Sequence, residues 1–324
     1  MMNLFEFKNQ LNSWGNKRIP FFFCVDFELE KPFALTLENV THTEILYSIN
    51  GVTNAASSGQ TLNPGISKKS PISFSDYEVK FSKVLQHLAY GDSFLTNLTI
   101  KTKIETGQSL QQLFQASAAR YKLLLKNQFL VFSPETFVRI SSNKIFSYPM
   151  KGTIDAAIPD AGEVILNDEK EKAEHITIVD LIRNDLSLVA DDVHVSRFRY
   201  IDKIKTSNKD LLQVSSEITG TLSADWSSRL GDILISLLPA GSISGAPKKK
   251  TVAIIAEAEQ EKRGYYTGVF GYFDGQSLDS GVMIRFIEQH NNQLYYRSGG
   301  GITTQSDAKT EYQEAIDKVY VPVT

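Results

Sequence analysis

The chain has 324 residues, 42% of them hydrophobic and 22% charged, enough apolar side chain to bury one large core or two coupled ones. Its 34 basic and 37 acidic residues are mixed along the sequence and leave a net charge of −3. That excludes a nucleic-acid backbone as the main partner, because phosphate binding needs a concentrated basic face.

In chain order, "MMNLFEFKNQ" is amphipathic and lacks the basic start and apolar centre of a signal peptide. No apolar run approaches the roughly 20 residues needed to span a membrane, so no membrane association is expected. Strands are expected at "IPFFFCVDFE" and "EILYSI". The single cysteine, Cys24, cannot form an internal disulfide; it fits a reducing cytoplasm and reads as a buried strand residue. "GVTNAASSGQTLNPGIS" (51–67) carries turn formers without periodicity and reads as a linker or mobile loop.

From residue 76 the pattern becomes regular. Val79, Val84, Leu85 and Leu88 recur near helical spacing and stop at Gly91. Strands follow at "SFLTNLTIKT", "FLVFS", "TFVRIS" and "KIFSYPM". Asp168 and Glu171 have the spacing of a capping box, opening a helix with an apolar stripe of Ala173, Ile176, Val179, Ile182 and Leu186. Helices over 225–238 and 248–260 flank the turn "PAGSISGAP", and the run "KKK" at 248–250 reads as a solvated face. Strands near 266–273, 279–288 and 293–298 precede a final helix. Hairpin-spaced strands mixed with long helices give an α+β class with large, mainly antiparallel sheets. Residues 1–75 form a short strand-rich segment packing on a main domain of 76–324.

The motifs HExxH, CxxC, GxSxG, GxGxxG and GxxxxGK[ST] are absent, and the five histidines are scattered. Carboxylates carry a better signal. Glu311 and Glu314 share a helical face, with Lys318 one turn beyond Glu314. With Glu174 as a third oxygen donor they could hold magnesium, which keeps several waters and takes one or two carboxylates plus an anionic substrate; singly, each is also an ordinary solvated helix residue. Gly299 to Gly301 could present amides to an anion, or simply form a tight turn. Arg285, in the apolar strand "SGVMIRF", calls for a carboxylate partner, and Tyr266 could add a hydroxyl or serve only as packing. Together these groups suit a small molecule bearing two carboxylates.

The segments "DSFLTNLTIKT", "FSPETF", "YPMKGTI", "AEHITIVDLIRNDL", "LLPAGSISGAPKKKTVAIIAEAE", "KRGYYTGVFGYFDG", "MIRF" and "SGGGITTQSDAKTEYQEAIDK" run in order from about 93 to 318. They resemble the chorismate-utilising enzymes, most of all component I of the aminodeoxychorismate synthases, with anthranilate synthase component I as the alternative. The resemblance implies an α/β sandwich of two large sheets with helices outside and the site between them. It also implies magnesium held by Glu174 and Glu314 with Glu311 beside the metal's waters. Carboxylate contacts are implied from Tyr266, Arg285, Gly299, Gly301 and Lys318, and a hydroxyl contact from Ser242.

Glu135 matches the proton donor to the departing C4 hydroxyl, its pKa raised by burial. Lys151 stands where aminodeoxychorismate synthases carry lysine and anthranilate synthases alanine. It is the implied nucleophile at C2 of chorismate, a dry, neutral amine that ammonia later displaces by entering at C4. The strand carrying "SFLTNLT" has no lysine before Lys101, which disfavours the water-adding siblings. Cys24 lacks the turn that exposes a glutaminase nucleophile, so ammonia is expected from a separate glutamine amidotransferase subunit. Gln213 departs from a common histidine, and the short N-terminal region argues against a feedback pocket for tryptophan.

Overall fold

The computed structural model describes residues 2–56, 65–205 and 210–322. Helix α1 (Leu4–Asn16) precedes strands β1 (Phe21–Val25), β2 (Phe33–Thr36), β3 (Ile45–Ile49), β4 (Val52–Thr53) and β5 (Lys68–Ser70). The middle of the expected loop 51–67, residues 57–64, lies outside the described residues. Helix α2 (Phe74–Tyr90) leads to β6 (Leu95–Glu105) and α3 (Leu110–Ala116). Then come β7 (Tyr121–Leu125), β8 (Phe129–Ser133), β9 (Thr136–Ser141), β10 (Lys144–Ser147) and β11 (Met150–Asp155). Helices α4 (Ala161–Asn167) and α5 (Glu169–Leu186) are followed by the antiparallel pair β12 (Asp191–Lys205) and β13 (Asp210–Thr221). Next are α6 (Leu230–Leu237), α7 (Gly241–Ser244), β14 (Gly245–Ala246) and α8 (Lys248–Glu259). The chain closes with β15 (Val269–Phe273), β16 (Leu278–Val282), β17 (Phe286–His290), β18 (Gln293–Ile302) and α9 (Ala308–Asp317).

Two antiparallel sheets face each other. One has the order β11-β13-β10-β9-β16-β15-β1-β2, with β12 on the free side of β13; the other runs β14-β6-β18-β17-β8-β7-β3-β4, with β5 on β6. Strands from the first 75 residues are thus hydrogen-bonded into both. Between the sheets, Phe22, Cys24, Tyr47, Tyr121, Phe129, Val131, Phe270 and Phe286 form a shared core. Phe22 stacks on Tyr47 with ring centroids 5.4 Å apart; each fully buried aromatic of this kind contributes roughly 1.5–3 kcal/mol. Helices cover the outer faces, α5 and α6 over the first sheet and α2, α8 and α9 over the second. Among the described residues no helix is long and apolar enough to cross a membrane.

Local chemistry accounts for the helix ends. Ser73 accepts from the amide of Asp76 to start α2, and Gly91, at φ 88°, ends it in the left-handed conformation that glycine adopts without penalty. Asp168 caps α5 through the amide of Glu171. Other expectations need correction. Val79 and Ile176 are exposed, and the core-facing positions are Tyr77, Phe81, Val84 and Leu88 on α2 and His175, Ile178, Val179, Ile182 and Leu186 on α5. The three lysines at 248–250 are not one solvated face: Lys248 Nζ lies 2.9 Å from Asp185 and donates to Leu237 O. The single strand expected over 279–288 is two, because the chain leaves one sheet after Val282 and enters the other at Phe286.

Candidate active site

The corners that carry the chain between the sheets place the first two functional side chains. β8 and β9 belong to different sheets, as do β17 and β16, and both crossings fall side by side because β8 pairs with β17 and β9 with β16. Val282 N donates to Glu135 O and Phe132 N to Arg285 O, each at 3.1 Å, so the two corners are laced together. Arg285 has φ 53°, a left-handed backbone that a non-glycine residue holds only where its surroundings impose it. That bend takes Arg285 out of strand pairing, contrary to its expected place within a strand. Both residues line a cleft of about 540 Å³.

Ser242 Oγ donates a short hydrogen bond to Glu135 Oε1. Burial pushes the Glu135 carboxyl above its ordinary value, and the Ser242 hydroxyl and the charges of Lys151 and Arg285 pull it only part of the way back. A shift in that direction favours the acid form that a proton donor needs. Arg285 has no carboxylate partner among the described residues; its guanidinium lies 5.6 Å from the Tyr320 ring centroid. Tyr266 is buried edge-on against Phe286, and burial pushes its phenol up to about 12.

The opposite wall is acidic. Glu171 and Glu174 on α5 and Glu311 and Glu314 on α9 all line the cleft, each pair three residues apart and therefore on one helical face. Lys151 Nζ lies 3.2 Å from Glu174 Oε2. Lys318 pairs with Glu314 and donates to Gly299 O at 2.9 Å. Burial opposes ionisation of Glu314, but Lys318 overrides it and leaves the carboxyl below its ordinary value. Glu171 and Glu311 go the other way. Burial raises both, and the neighbouring carboxylates Glu174 and Glu314 add to it.

Among the described residues these carboxylates form no preassembled cage of three or more metal donors. Two half-compensated acidic pairs facing one cleft nevertheless fit a magnesium ion, which needs only one or two carboxylates when waters and an anionic substrate complete its shell.

The glycine run makes the cleft possible. A Cβ at Gly300 would lie 3.2 Å from Glu311 Oε2 and 3.6 Å from Lys318 Nζ, and one at Gly301 would lie 3.7 Å from Lys151 Nζ. The three glycines do not form the tight turn that is one of the two expectations for them; they lie inside β18, with Gly299, Gly300 and Gly301 in register with Thr99, Leu98 and Asn97 of β6. Bare strand positions let other groups approach the backbone closely.

Lys151, Glu135, Tyr266, Arg285, Gly299, Gly301, Lys318, Ser242, Glu174, Glu314 and Glu311 therefore converge on one cleft. The expected dry amine is not what the structure shows: the Lys151 side chain is 25% exposed and lies beside a carboxylate, because α5 runs past it with Glu174 on the facing turn. Glu171, Lys170 and Tyr320 also line the cleft and were overlooked. For Glu171 a signal existed, since the Glu-x-x-Glu spacing occurs in both α5 and α9.

Residues 11–324 match the family model described as chorismate binding enzyme. An uncharacterised PabA-like protein of Haemophilus influenzae is 53% identical over 98% of this chain and 97% of its own. Aminodeoxychorismate synthase component 1 of Escherichia coli is 30% identical over 89% of this chain and 67% of its own. The solved structure of the menaquinone-specific isochorismate synthase of Escherichia coli matches with a TM-score of 0.73 at 16% identity, covering 98% of this chain and 81% of that one, a likeness of fold.

Proposed function

The chain belongs to the chorismate-binding enzymes, and on that premise we propose that it aminates chorismate at C4 with ammonia, giving 4-amino-4-deoxychorismate. One observation carries the reading: a lysine amine and a carboxyl whose burial favours its acid form, Lys151 and Glu135, face the same cleft as an acidic metal-type wall and an arginine that has no carboxylate partner among the described residues.

In the proposed sequence Lys151 leaves its ion pair with Glu174, gives one ammonium proton to solvent, and bonds through the freed nitrogen lone pair to C2. The ring double bonds shift, the C4–O bond breaks, and the Glu135 proton goes to the departing oxygen, which leaves as water. Ammonia then bonds to C4 as the double bonds shift back and the C2–N bond to Lys151 breaks. The surplus proton on the new amine returns to Glu135.

Arg285, Tyr266 and Lys318 hold a substrate carboxylate, and Gly299 and Gly301 let it reach the backbone. Glu174 and Glu314 are the candidate ligands of magnesium, with Glu311 beside its waters; the ion would supply charge neutralisation and a fixed orientation for the other carboxylate.

Two features support ammonia as the second nucleophile. Lys101, the first lysine on β6, is held 3.0 Å from both Glu261 and Glu288 and does not line the cleft, so it is no base for activating water there. Cys24 is fully buried, and burial drives its thiol well above the ordinary value, so the chain's one cysteine offers no thiolate to hydrolyse glutamine. A separate glutaminase subunit is the proposed source of ammonia.

The test is product identity. Pure protein is incubated with chorismate, magnesium and ammonium at mildly basic pH, with and without added aminodeoxychorismate lyase. Para-aminobenzoate that forms only when the lyase is present supports the reading. Ortho-aminobenzoate with released pyruvate, or a hydroxylated isomer of chorismate, overturns it.

A further inference from the structure

A second cavity, of about 30 Å³, lies against the back of Glu135. Its walls are mainly apolar, with Phe137, Ile182, Leu186 and Ala240 among them, and half-buried Asp185 also lines it. It shares just two lining residues with the large cleft, Glu135 and Ser242, and these two are hydrogen-bonded to each other. The partition between the two spaces is therefore the proton donor itself and its hydroxyl partner.

One water-sized molecule needs about 10–15 Å³, so this space has room for a molecule as small as water or ammonia and not for a substrate ring. Its mainly apolar wall favours a neutral occupant while Glu135 keeps its proton, because the other carboxylate in the wall, Asp185, is already paired with Lys248.

We propose that this cavity is the ammonia site. The inference rests on the amination reading, and it adds a place and a direction to it. On this proposal ammonia reaches the reacting carbon from the space behind Glu135. Once Glu135 has given its proton to the departing water, its carboxylate accepts an N–H from ammonia moving past Ser242. The nitrogen lone pair bonds to C4, the Lys151 bond at C2 breaks, and the proton left on the new amine passes to Glu135. Atoms and charge balance without another reactant.

The test fills the cavity from positions that touch neither the substrate nor the reacting atoms. Ala240→Val adds two methyl groups to its wall, and Val138→Ile, on a different element, is the second filler should the first fail to fold. Steady-state kinetics are taken with ammonium and chorismate varied separately, with melting temperature as the folding control.

The expected result is a rise of about tenfold or more in the KM for ammonium, with the KM for chorismate and the rate at saturating ammonium within about twofold of wild type. A folded filler whose ammonium KM does not move overturns the site and marks its occupant as a structural water, and so does an equal loss of rate at every ammonium concentration. Wild-type protein that consumes no ammonia with chorismate overturns the amination reading and this site together; wild type that aminates while both fillers behave like it overturns the site alone.

Discussion

Arg263→Leu should unfold the walls of the cleft before it touches any group in it. Arg263 and Glu259 are both about 1% exposed and paired bidentately, Nη2 to Oε1 at 2.6 Å and Nε to Oε2 at 3.0 Å. Glu259 Oε1 also accepts from the amide and hydroxyl of Thr99, and Arg263 donates on to Asn97 O and Ile243 O. The pair thus fastens β6 and the segment before β14 to the turn that leads into β15.

Removing the arginine leaves a buried carboxylate with only the Thr99 donors, which costs about 3–5 kcal/mol. At this chain length about 2 °C of melting temperature is lost per kcal/mol, so a fall of about 6–10 °C is expected. Glu259→Leu strands the guanidinium and should cost as much. The double variant Arg263→Leu/Glu259→Leu removes both charges and should be no less stable than either single variant, so the two changes fail to add by about 3 kcal/mol. Urea unfolding followed by circular dichroism measures all four proteins. Additive losses would show that the two residues are not held as a mutually dependent buried pair.

Three further outcomes follow from the site. Because burial keeps the Glu135 carboxyl raised and its acid form does the work, the amination rate at a fixed concentration of free ammonia should carry a limb that falls as pH rises through that raised value. Glu135→Gln should lower the rate by about 10²–10⁴ and abolish this limb of the pH–rate profile. Gly299→Ala and Gly300→Ala should behave oppositely. A Cβ at 299 would lie 2.1 Å from Leu98 O and must push β18 off β6, which lowers the melting temperature, whereas one at 300 meets only the flexible ends of Glu311, Lys318 and Glu314 and should leave stability intact while lowering activity. Magnesium should raise the melting temperature in proportion to about 2.7 kcal/mol at a hundred times its Kd, and calorimetry should show that gain lost in Glu174→Gln/Glu314→Gln.

What could be read from sequence depended on whether local pattern or tertiary pairing decides each feature. β8, β9 and β10 alternate or run apolar between turn formers, and their residues spell out their own burial. β12 does not. It is an edge strand with charged, exposed positions, and its register shifts around Arg197 put the alternation of Val193 and Val195 out of phase with that of Phe198 and Tyr200, so no continuous strand period runs through "DDVHVSRFRY".

The break between β16 and β17 is equally silent, since "VMIRF" is apolar throughout and only the partner strands show that it turns a corner. Glu171 and Glu311 each look like solvated helix residues alone; α5 and α9 meet across the cleft for reasons of packing that neither helix encodes. Lys151 could be placed among acidic groups, but its pairing with Glu174 depends on how α5 passes β11, which spacing does not give.

The most direct test of the account is a search for the covalent bond at Lys151. Wild-type protein mixed with chorismate and magnesium in the absence of ammonia, quenched and digested, should show on the peptide containing Lys151 the mass of chorismate less one water, and Lys151→Ala should lose that adduct together with about 10³-fold or more of its amination rate. An alanine variant that aminates chorismate at the wild-type rate, with no adduct on the wild-type peptide, would contradict it.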